Sequence, residues 1–156
     1  MNRILDGIIG GWELSSIVLL SSRTPLAITQ SASNLWEGNQ RPNLVGDPRR
    51  PESVKDKLNN YINATAFTNA PTDTYGTTPR TLANYRGPSI INEDATLSKN
   101  FTFAENRYLQ LRLEAYSLTN SPQFGNPNTS FGGTSFGQIT SAGGARQLQV
   151  AAKFYF

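Results

Sequence analysis

The chain contains neither histidine nor cysteine. A Ser-His or Cys-His nucleophile pair therefore cannot be assembled, and imidazole and thiolate metal sites are excluded. The groups left for acid–base work are 11 Asp+Glu. Glu93 and Asp94 are adjacent, and on a strand adjacent side chains point to opposite faces and cannot share a substrate atom. A carboxylate-based hydrolase is the remaining enzymatic option and has little support. The expectation is no catalysis, no metal and no cofactor.

Basic residues number 14 Lys+Arg, a net charge of only +3, too small and too dispersed to argue for nucleic acid. Arg41, Arg49, Arg50, Lys55, Lys57, Arg80 and Arg86 alternate with Glu37, Asp47, Glu52, Asp56 and Asp73. The plain reading is a solvated loop; the sharper one is contact of some arginines with lipopolysaccharide or an anionic substrate. The Phe-Gly pairs at 124, 131 and 136 read as loop packing.

These groups must be held by strands. Charged residues are 16% of the chain against a usual ~25%, with 13 Gly and 9 Pro, a composition of strands joined by long polar connections. In the last eleven residues Leu148, Val150, Ala152, Phe154 and Phe156 alternate with Gln147, Gln149, Ala151, Lys153 and Tyr155, the period of a β-strand. About nine to eleven tilted residues suffice for a strand to cross a bilayer. Leu109, Leu111, Leu113 and Ala115 alternate with Tyr108, Gln110, Arg112, Glu114 and Tyr116, the clearest pattern in the chain. Before it, Ile91 to Phe103 alternates similarly, with Asp94, Thr96 and Ser98 on the polar side and Leu97 on the other. Trp12 to Leu20 and Leu26 to Gln30 complete five strand candidates. Val54, Leu58, Tyr61 and Ile62 predict a short helix over 51–62, inside a connection of 31–89; a second long connection covers 119–145.

Short connections at 21–24 and 104–106 alternate with the two long ones, as in an outer-membrane barrel with periplasmic turns and extracellular loops. Phe101, Phe103, Phe154 and Phe156 then stand at periplasmic strand ends, with Trp12 near an extracellular one. A soluble or surface β-rich binding or adhesion module is the alternative, since alternation alone cannot separate lipid from a protein core. In the hairpin around 104–106, equivalent faces require paired residues to sum to 210. Phe101 is then opposite Leu109, Ser98 opposite Arg112, Leu97 opposite Leu113 and Thr96 opposite Glu114, with Asn106 closing the turn in the left-handed region.

Several segments resemble the C-terminal barrel region of TonB-dependent outer-membrane receptors, in particular the Oar-like group. They are Gly10-Gly11-Trp12, Arg41-Pro42-Asn43, Ala64-Thr65-Ala66-Phe67, Arg86-Gly87-Pro88, Lys99-Asn100-Phe101, Leu109 to Asn120, Phe124-Gly125-Asn126-Pro127, Phe136-Gly137-Gln138-Ile139-Thr140 and the terminal strand. The resemblance implies an all-β fold: an antiparallel transmembrane barrel segment spanning 1–156, with long extracellular loops. It also implies Phe154 and Phe156 as an assembly signal, and active uptake driven through the TonB complex. Asp94, Thr96, Ser98, Gln110, Arg112, Glu114 and Lys153 are expected to face the lumen, and Leu97, Leu109, Leu111, Leu113, Leu148 and Val150 the lipid. About five strands cannot close a barrel, which needs about eight. The remaining strands and the N-terminal plug are therefore expected in a longer receptor, as partners of this piece.

Overall fold

The computed structural model describes residues 8–156. The chain forms two units: one takes the chain up to Leu20 with Ile91–Pro122 and Gly144–Phe156, the other Ser21–Ile90 with Gln123–Gly143.

The first unit is a four-stranded sheet. Its strands are β1 (Trp12–Ser21), β2 (Ile90–Ala104), β3 (Arg107–Tyr116) and β4 (Gln147–Tyr155), side by side in that order. β3 is antiparallel to both of its neighbours. The β2–β3 register places Leu97 opposite Leu113, Ser98 opposite Arg112, Thr96 opposite Glu114 and Phe101 opposite Leu109, as the alternation requires. The turn differs from expectation. Ala104 pairs with Arg107, an irregularity lies between Thr102 and Ala104, and Asn106 is not among the positive-φ residues. A bulge at Phe103 absorbs the odd residue instead of a left-handed Asn.

Leu26 to Gln30 is not a fifth strand of this sheet. Pro25–Leu26 pairs antiparallel with Leu82–Arg86, and Thr29–Gln30 pairs parallel with Ser130–Phe131, all in the second unit. The run is apolar because Leu26 and Ile28 enter that unit's core, where they are 3% and 1% exposed. The segment 21–24 is accordingly no hairpin: after β1 the sheet resumes only with β2. Trp12 also changes ends. The Asn100 N–H donates to the Gly11 carbonyl at 2.9 Å, which puts Trp12 level with Phe101, toward the 105–106 turn.

The second unit is built on Leu26, Ile28, Tyr61, Ile62, Phe67, Leu82, Tyr85 and Ile139. The Phe-Gly phenylalanines 124, 131 and 136 pack on this core. Phe131 and Phe136 sit edge-on at 5.4 Å, and both meet Phe67. The two long connections thus contribute to a folded body. No helix forms over 51–62; 54–59 is turn, and the helical turn in this region is the 3-10 segment Ala64–Ala66, capped by the Asn63 side chain.

Candidate functional site

Strands β2, β3 and β4 present two chemically different faces. On one, the residues align in rows across the sheet: Phe101–Leu109–Phe154, Lys99–Leu111–Ala152, Leu97–Leu113–Val150 and Ala95–Ala115–Leu148. Side chains that would bury themselves in a soluble domain lie open here; Leu113 is 44% exposed, Leu148 65% and Val150 77%. A contiguous uncovered apolar surface marks a contact with membrane or partner. The six residues expected to face lipid, Leu97, Leu109, Leu111, Leu113, Leu148 and Val150, share this face.

The opposite face carries the rows Thr102–Tyr108–Tyr155, Asn100–Gln110–Lys153, Ser98–Arg112–Ala151 and Thr96–Glu114–Gln149. Gln110 donates to Asn100 Oδ1 at 3.1 Å, and Arg112 pairs with Glu114 at 2.8 Å. Tyr108 and Tyr155 stack at 4.3 Å, with the Lys153 ammonium 4.6 Å from the Tyr155 ring centroid. Of the residues expected to face the lumen, Thr96, Ser98, Gln110, Arg112, Glu114 and Lys153 share this face. Asp94 has a further task. Its Oδ1 accepts from the Ser117 N–H at 2.8 Å and from Asn92 Nδ2 at 3.0 Å, and Ser117 has φ 51. This carboxylate fixes the chain's exit from β3.

Lys99 is a charged residue on the otherwise apolar side of the 91–103 alternation. Its ammonium donates to the Gly10 carbonyl and lies 5.3 Å and 5.4 Å from the ring centroids of Trp12 and Phe101. Phe154 and Phe156 stack at 6.3 Å, and Phe156 is 94% exposed beyond the end of β4.

In the second unit Pro42, Asn43 and Arg86, from two of the resembling segments, help hold the body together. The Pro42 carbonyl accepts from the Thr78 hydroxyl at 2.6 Å, Asn43 Oδ1 from the Thr77 N–H at 3.0 Å, and the Arg86 carbonyl from the Tyr61 hydroxyl at 2.9 Å. Gln40, fully buried, has its amide spent on Pro71 and Thr74 carbonyls, and its oxygen on Gln30 and Asn34. The arginines are engaged locally as well: Arg49 with Asp47 at 2.8 Å and Arg50 with Glu52 at 3.2 Å. Hydrogen bonding from Arg49 lowers the Asp47 pKa to about 2. The pair borders a cavity of about 240 Å³ with Leu44, Leu82 and Tyr85. Among the described residues no three Asp or Glu side chains converge to hold a metal ion.

Against protein-family models, residues 1–149 match one described as an outer membrane beta barrel domain. Comparison with the curated proteins and with the solved structures returned no match.

Proposed function

Because the chain belongs to the outer membrane beta barrel domain family, and so resides in the bacterial outer membrane with its strands among lipid, we propose that it is the C-terminal wall of a TonB-dependent receptor of the Oar-like kind, working in active uptake. The observation that carries the barrel-wall part of this reading is the separation of the sheet into one open apolar face and one polar face at fixed register; the receptor part rests on the resembling segments. A barrel wall needs that division, lipid outside and a lumen within. The reverse orientation would put Arg112 in hydrocarbon at roughly 2–4 kcal/mol near the midplane.

On this reading Asp94, Thr96, Ser98, Gln110, Arg112, Glu114 and Lys153 line the lumen, where a plug or a permeant would meet them. Short turns of such barrels face the periplasm, so the 105–106 turn is periplasmic. Trp12, Phe101 and Phe154 then form one periplasmic aromatic level. β1 and β4 are the edges of the four-stranded sheet, and further strands of the receptor would pair with both.

The coding region upstream of Met1 tests the transport reading. It should encode a signal peptide, a plug domain and a TonB box. Further strands without a plug or TonB box would leave a barrel and overturn uptake through TonB. Loss of uptake on TonB depletion, for whichever substrate the receptor carries, is the matching physiological result.

A further inference from the structure

Lys99 is a cation on the apolar face. It shares a row with Leu111 and Ala152, one step inward from Phe101–Leu109–Phe154, yet the residue is only 5% exposed. Its carbonyl partners come from the segment before β1. Gly10 holds the ammonium, and Ile8 contributes a longer contact at 3.4 Å while also accepting from the Trp12 indole N–H at 2.9 Å. Gly11 permits this arrangement: its φ is +70, and a Cβ there would stand 2.8 Å from the Asn100 carbonyl. Carbonyl dipoles and ring faces solvate a cation but leave its charge in place, and a charge held in apolar surroundings is costly without a counter-ion. Among the described residues no carboxylate pairs with Lys99. Beside it lies an apolar cavity of about 270 Å³, lined chiefly by Trp12, Leu97, Phe101, Leu111, Leu113 and Val150.

We propose that Lys99 and this cavity form a binding site for one anionic glycerophospholipid, with a phosphodiester oxygen beside the ammonium and an acyl chain along the Leu111–Leu113–Val150 surface. The missing counter-charge selects an anion, and the adjoining wall selects a hydrocarbon chain. Their proximity favours a ligand that carries both over a small free anion. The inference rests on the apolar face meeting lipid and on the 105–106 turn being periplasmic, where the leaflet is phospholipid. The long Ile8 contact is the one a phosphate oxygen would replace.

Native mass spectrometry of the full-length protein, extracted from outer membranes in mild detergent and supplied with phosphatidylglycerol, tests the site. The wild type and Lys99→Arg should retain one phosphatidylglycerol, while Lys99→Met and Leu111→Trp, which fills the cavity and keeps the charge, should each lower its occupancy about tenfold. Should Lys99→Met fail to insert, Leu111→Trp decides alone. Undiminished occupancy in an inserted Lys99→Met or in Leu111→Trp overturns the proposal. So does complete displacement by inorganic phosphate at equal concentration, or preference for lipopolysaccharide. The orientation is checked separately by thiol labelling at Leu113 and Arg112. Wrong labelling refutes the barrel-face reading beneath the proposal, whereas correct labelling without retained lipid refutes the lipid site alone.

Discussion

Leu97 stands directly opposite Leu113, and one residue along Ser98 stands opposite Arg112. A shift of one residue would turn over one strand against the other and mix leucines with Ser98 and Arg112 on each face. With single cysteines at Leu111, Arg112, Leu113 and Glu114 in the full-length protein, a water-soluble thiol reagent should label 112 and 114 through the lumen. Positions 111 and 113 should be protected by lipid. Equal labelling at all four, or the opposite alternation, overturns the faces.

The same pairing makes one charge cheap and another expensive. Thr96→Arg would add a guanidinium opposite Glu114, and a partly exposed pair of this kind changes stability by no more than about 1 kcal/mol. Leu113→Arg would place the same group among Leu97 and Val150, at a cost of roughly 2–4 kcal/mol near the midplane of the bilayer. Urea unfolding of protein refolded into lipid vesicles measures both. Similar losses for the two variants would mean that neither face is in hydrocarbon.

These strands were legible because strict alternation along β3 leaves one possible assignment of faces, and the pairing follows from it. Elsewhere local pattern was outweighed by distant partners. Leu26 and Ile28 are apolar in a short run, which reads equally as membrane wall or as core. At 51–62 the helical spacing of Val54, Leu58, Tyr61 and Ile62 does reflect burial or packing on one core. The backbone, however, bonds elsewhere: the Tyr61 N–H donates to Gly137 and the Ile139 N–H to the Leu58 carbonyl, both at 2.7 Å. Those partners lie more than seventy residues away in sequence, beyond any window of periodicity. Lys99 was hidden for a similar reason, since its carbonyl partners belong to the segment before β1.

Gly11 should be the least replaceable glycine at the start of the sheet. Its left-handed φ of +70 already disfavours a side chain, and the Asn100 carbonyl occupies the space. Gly11→Ala should lower stability by about 1–2 kcal/mol from the backbone conformation alone, with more from the close approach. Gly38 also has a positive φ but open space around it, so Gly38→Ala should cost less. Equal shifts in urea midpoint would contradict a role for the Asn100 contact.

Tyr85 ties the core of the second unit by donating its hydroxyl to the Tyr61 carbonyl, while the two rings stack at 5.5 Å. Burial pushes its pKa above the ordinary tyrosine range. Below pH ~10 it is neutral whether folded or unfolded. Above that, the unfolded chain ionises while the folded one holds its proton, so this residue's contribution falls as pH rises. Tyr85→Phe should cost about 1 kcal/mol at neutral pH through the lost hydrogen bond, and should reduce the loss of stability at alkaline pH. Amide exchange at Ile62 and Leu82, followed from pH 7 to 11, would show this as converging protection. A gap that widens with pH would reverse the sign and reject the assignment.

Phe154 and Phe156 differ in what the sheet asks of them. Phe154 lies in β4 opposite Leu109, so its removal disturbs packing as well as any signal. Phe156 is past the end of the strand and 94% exposed, and its loss should leave the sheet's pairing intact. If its ring is read by the assembly machinery, deleting Phe156 in the full-length receptor should lower the amount reaching the outer membrane several-fold. The molecules that do insert should unfold in urea as the wild type does. Phe154→Ala should reduce both quantities, because the row Phe101–Leu109–Phe154 loses a member. Quantifying the outer-membrane fraction and the unfolding midpoint for each variant separates signal from packing. Unchanged insertion after removal of both aromatics would eliminate the assembly role.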